Sequence, residues 1–323
     1  MENVFRLIRS ASEQGRQSMD LPHLHGIIPP LATPLKLDGS LDEESLARFV
    51  EFQIGAGVHG LWLLGTTAKF DLLTDPRQRR IAEIVATVNA GRLPLVLNIS
   101  DMGTDRTLAR AALFDDLPYD YYAVLPPWYQ PMTCDEVLGY FTSLADRLSH
   151  PLVIYNAPWI NNQLSFRHLR QLAQHPRIVG CKDVNPSLSR TLDWSVTERR
   201  EMGFSYLHGN DQMAISTELG ADGFVSALTN PLPELTLAIW DAARADDAER
   251  AFRLQTQLTR LARVTGFGPM LACLEVLCRH RGMLQRMLPP PLRSLDKEMA
   301  QRVLDVAEVV GLVPSPDLAR SVS

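Results

Sequence analysis

The run RIVGCKDVN, residues 177–185, carries a lysine, Lys182, at the end of a short apolar stretch. A lysine at a strand end normally snorkels its amine to water. One that is kept dry gives up its proton more easily and becomes a nucleophile for a carbonyl carbon. What stands at the other strand ends decides between the two. YNAP at residues 155–158 offers the phenol of Tyr155, ordinarily a packing group but a proton carrier beside such a lysine. GTT at residues 65–67 offers Gly65, Thr66 and Thr67, whose N–H and hydroxyl groups suit a carboxylate; taken alone it is a tight turn. PPWY at residues 126–129 adds Trp128 and Tyr129, and GND at residues 209–211 adds Asn210 and Asp211. Asp211 reads equally well as the N-cap of the segment QMAISTELG.

These groups meet only if the chain brings the strand ends together. From Leu24 onward eight β-rich runs recur: HGIIPPLATP, GLWLLGTT, LPLVLNIS, YDYYAVLPP, PLVIYNAP, RIVGCKDV, FSYLHGND and DGFVSALTN. Between them lie segments apolar at i, i+3, i+4 and i+7. The runs are nearly continuous rather than alternating, as parallel strands covered on both faces are. Repeated strand–helix alternation predicts an α/β fold, a (β/α)8 TIM barrel whose chemistry sits at the C-terminal ends of the strands. The competing doubly wound sheet wants a GxGxxG turn after its first strand, and HGIIPPLATP has none. Ser40 with Glu43 and Thr133 with Glu136 read as capping boxes. Gly55 and Gly57 close the first helix, and Pro76 opens the second. The division expected is an N-terminal extension over residues 1–20, the barrel over 21–245 and a C-terminal helical region over 246–323.

The 323 residues are 46% hydrophobic and 21% charged, with a formal net charge of -5. No basic stripe is present, which argues against nucleic acid as a partner. No segment has the length of a membrane span or a signal-peptide core. Cys134, Cys181, Cys273 and Cys278 form no CxxC pair, consistent with reduced thiols in a cytoplasmic protein.

Taken in order, GTT after the second strand, IYNAP on the fifth, VGCKD on the sixth and GADGFVS on the eighth resemble the dihydrodipicolinate synthase / N-acetylneuraminate lyase family. The likeness runs from about Gly26, through Thr33-Pro34, to the C-terminal helices. It implies a class I lyase without metal or cofactor, acting on a small, pyruvate-like 2-oxo acid and an aldehyde. Lys182 then matches the Schiff-base lysine and Tyr155 the proton-shuttling tyrosine. Thr66 and Thr67 match the pair that holds the substrate carboxylate and relays protons, and Val225 the residue whose carbonyl lies near the lysine. Relatives of this kind assemble as homotetramers built from dimers.

The chain also departs from the pattern. Gly-Glu after GTT is replaced by Ala68-Lys69, and the strand-four tyrosine positions hold Pro127 and Trp128, with Tyr129 one step later. Indole cannot pass a proton as a phenol does. Ile160 stands where dihydrodipicolinate synthases carry an arginine for the second carboxylate, a bidentate clamp that isoleucine cannot supply. The expectation is an aldolase or lyase outside the lysine pathway, with Trp159, Asn161 and Asn162 facing an aromatic or polyhydroxylated partner. Asn210 and Asp211 are candidates for substrate hydroxyls. A sugar-acid dehydratase and an inactive 2-oxo-acid-binding homologue are the alternatives within the family. A metal-dependent aldolase built on His208 and Asp211 would lack an obvious third ligand.

Overall fold

The computed structural model describes residues 23–312; the N-terminal extension expected over residues 1–20 lies outside them. The eight strands are β1 Gly26–Ile27, β2 Leu61–Leu63, β3 Leu95–Asn98, β4 Tyr121–Val124, β5 Leu152–Asn156, β6 Ile178–Asp183, β7 Ser205–His208 and β8 Gly223–Phe224. They form one parallel sheet in the order β1-β8-β7-β6-β5-β4-β3-β2. All their residues except Val179 are buried, so continuous apolar runs were the right signature. The first strand is short because Pro29 and Pro30 follow it and can donate no ladder bond. The ends of the sheet nevertheless meet. His59 N–H donates to the Ile27 carbonyl (2.8 Å), Trp62 N–H to Pro29 (3.0 Å) and Leu31 N–H to Trp62 (2.8 Å), closing the barrel.

The covering helices are α1 Glu43–Ala56, α2 Asp75–Asn89, α3 Thr104–Ala112, α4 Cys134–Arg147, α5 Phe166–Leu172, α6 Ser189–Leu192, α7 Val196–Glu201, α8 Met213–Glu218 and α9 Pro233–Arg244. Thr133 and Glu136 form the capping box of α4, and Pro76 lies in the first turn of α2. Gly57 ends α1 with φ 90°, a conformation that costs glycine little. The Ser40–Glu43 box is corrected. Asp42 caps α1 by accepting from Ser45 N–H, and Ser40 turns to Asp38 instead. Glu43 is the first helical residue, two positions before the one that reaches back in a capping box, and its carboxylate pairs with Arg80 of α2.

Three further helices follow: α10 Ala248–Ala262, α11 Met270–His280 and α12 Lys297–Val309. In α11, residues 271–278 are all buried. Its Glu275 accepts from the N–H groups of Met287 (2.7 Å) and Leu288 (3.2 Å), fixing the following segment against the barrel.

The closing seam is made of glycines. A methyl group on Gly223 would stand 2.4 Å from the Gly26 carbonyl oxygen, which is backbone and cannot swing aside. Gly223→Ala is therefore expected to cost about 2 kcal/mol or more, read as a lower urea midpoint. Gly139→Ala, on an open face of α4, should change the midpoint little or raise it.

Candidate active site

The site begins with a register. At the start of their ladder Leu152 of β5 pairs with Ile178 of β6, but Val153 pairs with Gly180, so Val179 is an extra residue. The offset change puts Tyr155 opposite Lys182. Without it Tyr155 would face Cys181, and Lys182 would point to the other side of the sheet, because strand side chains alternate. Lys182 also pairs with Leu207 of β7, while Cys181 pairs with Tyr206 and Asp183 with His208. Lys182, Tyr155 and Leu207 thus share one face, and Cys181, Asp183, Tyr206 and His208 the other.

Lys182 is 4% exposed. Its Nζ lies 4.1 Å from the centroid of the Tyr155 ring and 5.0 Å from that of Trp62. Burial alone brings its pKa from 10.5 down to about 7. That shift corresponds to about 5 kcal/mol against the ammonium form, more than the ~0.5–2 kcal/mol by which the two ring faces favour it. The adjacent carboxylate does not compensate. Asp183 is committed on the opposite face to Arg190 (3.0 Å), to the Tyr206 hydroxyl (3.0 Å) and to Asn185 N–H (3.1 Å).

Tyr155 is equally buried, and desolvation raises its pKa to about 12, against the opposing effect of its hydrogen bond with Thr66. Its hydroxyl is 3.0 Å from Thr66 Oγ1. A protonated phenol in contact with a half-buried hydroxyl can hand a proton toward the mouth and take one back. Thr67, expected in this role, is buried one residue further on, and the bond to Tyr155 belongs to Thr66. The turn that presents Thr66 starts at Leu64, which is left-handed with φ 52°. Asn98 Nδ2 holds the Leu64 carbonyl at 2.8 Å.

Trp62 was not singled out from sequence. It lies edge-on to Tyr155, ring centroids 5.7 Å apart, and its indole N–H has no partner among the described residues. Gly65 makes room for it, since a Cβ there would lie 3.3 Å from the indole. Its position three residues before Gly65 on the same strand was the available signal.

The other candidates divide. Trp128 joins Thr66, Ile160 and Leu125 in lining a cavity of about 750 Å³ at the barrel mouth. Lys182 does not line it; Thr66 links the cavity to the Tyr155–Lys182 pair. Tyr129 is 71% exposed and outside that lining, so it does not rebuild the missing phenol relay. Asn210 is drawn to the opposite strand face, with Nδ2 3.0 Å from His208 Nδ1 and Oδ1 accepting from Gln212 N–H. Asp211 accepts from the Ser226 hydroxyl, and burial raises its pKa. It does not cap α8, where Gln212 holds the N-cap position. Val225 is buried beside β8, its N–H donating to the His208 carbonyl at 2.7 Å. His208 has one ring nitrogen on Thr191 and the other on Asn210.

A closed parallel barrel with a buried lysine of lowered pKa, a phenol and a hydroxyl grouped at its strand ends is the arrangement expected of a class I aldolase-type lyase. Residues 23–309 match the model of the dihydrodipicolinate synthetase family, and the chain belongs to that family. It is 34% identical over 239 residues to a 4-hydroxy-tetrahydrodipicolinate synthase of Acidiphilium cryptum, covering 73% of this chain and 81% of that one. It is 28% identical over 296 residues to the Escherichia coli K12 protein named probable 2-dehydro-3-deoxy-D-pentonate aldolase, covering 90% and 98%. Among solved structures it superposes on YagE of E. coli K12, a prophage protein of the same family crystallised with pyruvate. The TM-score is 0.85 at 24% identity, over 90% of this chain and 100% of that one.

A buried, uncompensated amine lowers stability, and the sign follows from its two pKa values. Between pH 10.5 and about 7 the unfolded lysine is protonated and the folded one neutral. Stability therefore falls as the pH drops through that window and the penalty is constant below it. Lys182→Met should be more stable than the parent by about 2–5 kcal/mol at pH 7. Urea titrations should show this gain shrinking as the pH approaches 10.5.

Proposed function

We propose that this chain is a Schiff-base lyase acting on pyruvate or a related 2-oxo acid and an aldehyde, outside the lysine pathway. The observation that carries the reading is the buried Lys182 amine, with its lowered pKa, against Tyr155 and its bond to Thr66. In the cleavage direction the neutral Nζ attacks C2 of the oxo acid. The carbinolamine hydroxyl takes the Tyr155 proton and leaves as water, giving an iminium and a Tyr155 phenolate. The iminium draws in the C3–C4 bonding pair as an enamine, while Tyr155 accepts the proton of the C4 hydroxyl and the aldehyde departs. Protonation at C3 and addition of water to the iminium then release the shortened oxo acid and the free amine. Thr66 passes protons between Tyr155 and the mouth, and the GTT turn receives the substrate carboxylate.

Exclusion from the lysine pathway is supported by Ile160, which stands at the cavity wall in the place where the resemblance puts the arginine of dihydrodipicolinate synthases. A cytoplasmic location is supported by four unpaired cysteines. A dimeric or tetrameric assembly is part of the proposal and is checked by sedimentation.

Borohydride reduction with pyruvate should fix one oxo-acid unit on the peptide that contains Lys182. An unmodified peptide, with every candidate oxo acid tried, would sink the reading. Turnover should rise through about pH 7 as the amine deprotonates. Thr66→Val should keep the trapped adduct but lose turnover by about 10²-fold or more. Fast condensation with aspartate semialdehyde would overturn the exclusion from the lysine pathway.

A further inference from the structure

The cavity at the barrel mouth has a composition that selects among aldehydes. Its walls come from the loops after β2, β4 and β5 and from the start of α11 and the segment after it. Leu125, Trp128, Ile160, Leu271 and Leu288 are among its apolar lining residues. Phe70 stands edge-on to Trp128, ring centroids 5.9 Å apart, which gives the wall a fixed aromatic corner. At about 750 Å³ it has the size of a site for a ring-bearing ligand.

The amide side chains nearby are already engaged. Asn161 Nδ2 binds the carbonyls of Trp128 (3.1 Å) and Tyr129 (3.2 Å). Asn162 binds those of Pro127 and Gln130 and accepts from Met132 N–H. Gln163 Nε2 binds the Pro158 carbonyl. They lock the loop that carries Trp128, and their amide N–H groups donate to backbone carbonyls rather than to a ligand. Of the aromatic or polyhydroxylated partner expected beside Trp159, Asn161 and Asn162, the aromatic alternative is the one this cavity favours.

Two cations complete the lining. Lys69 and Arg293 have no ion-pair or hydrogen-bond partner for their side chains among the described residues, and Asp71 is the one carboxylate beside them. Lys69 is held in the left-handed region, φ 58°, a conformation costing a side-chain-bearing residue roughly 1–2 kcal/mol. Its N–H donates to the Thr66 carbonyl at 3.1 Å, which ties this cation to the turn that bears the relay hydroxyl.

We propose that the cavity binds an aromatic aldehyde carrying a carboxylate, with the ring against Trp128 and the charge met by Lys69 and Arg293. This rests on the Schiff-base reading above and names the acceptor for it. The ring is desolvated by the apolar wall, and a carboxylate gains charge-assisted hydrogen bonds that a neutral ring or a polyol cannot.

The test uses the full chain with pyruvate and a panel of 2-, 3- and 4-formylbenzoate, benzaldehyde, glyceraldehyde and aspartate semialdehyde. At least one formylbenzoate should exceed benzaldehyde in kcat/KM by about tenfold and glyceraldehyde by more. Lys69→Met combined with Arg293→Met should raise the KM for that formylbenzoate by about tenfold, while KM for benzaldehyde moves less than twofold. Preference for glyceraldehyde or aspartate semialdehyde, with pyruvate still trapped on Lys182, overturns this proposal and leaves the Schiff-base reading intact. If nothing is trapped, the cavity is judged alone by tryptophan fluorescence of Lys182→Ala titrated with 2-naphthoate. Saturable quenching that the double Met variant abolishes supports the site; no quenching overturns it.

Discussion

The whole arrangement hangs on one extra residue in a strand. Val179 shifts the β5–β6 ladder by one position, and that shift alone sets Tyr155 beside Lys182. A parallel ladder gives no intermediate option, because a slip of one residue moves every following side chain to the other face. The bulge also leaves Gly180 where a Cβ would sit 2.8 Å from the Ser205 carbonyl oxygen, so β6 and β7 can approach only there as glycine permits. Backbone geometry thus determines which groups can react before any side-chain chemistry begins.

The same alternation separates charges. Asp183 follows Lys182 directly, yet its carboxylate lies on the outer face with Arg190 and Tyr206, where five hydrogen bonds hold it. Had it shared the inner face, it would have stabilised the ammonium and kept the amine protonated at neutral pH. His208, also on the outer face, is kept neutral by burial, its pKa lowered to about 4. The inner face is left with Trp62, Tyr155 and a lysine whose only large perturbation is loss of water. The lowered pKa of this amine comes from withholding partners.

Much of this was legible in the sequence, and the failures have physical reasons. Eight apolar runs and their order sufficed for the barrel, because parallel strands covered on both sides leave that pattern. Lys182, Tyr155 and Thr66 were legible because strand ends share one mouth. Trp62 was not, since a tryptophan inside a strand reads as core until its neighbours are known. The bulge at Val179 has one sequence mark, Gly180, a glycine inside an apolar run that reads equally as a site of close strand approach. Asn210, Asp211, Asn161 and Asn162 misled for the opposite reason. Polar side chains near a mouth look available, but Asn210, Asn161 and Asn162 serve backbone groups of their own loops, and Asp211 holds the Ser226 hydroxyl.

Strain is concentrated in the segment that joins the two halves of the site. Leu64 and Lys69 both carry positive φ, at 52° and 58°, on either side of Thr66. Neither is glycine, so each conformation is held against a local cost of roughly 1–2 kcal/mol. Asn98 restrains the first by its bond to the Leu64 carbonyl, and the Thr66 carbonyl restrains the second. Between these clamps the turn has little freedom, and Thr66 is held with its hydroxyl on Tyr155 while it also borders the outer cavity. Relaxing either strained residue would move that hydroxyl off the phenol or the cation off the mouth. A turn fixed at both ends therefore joins the Lys182–Tyr155 pair to the cavity, and it does so through a single side chain.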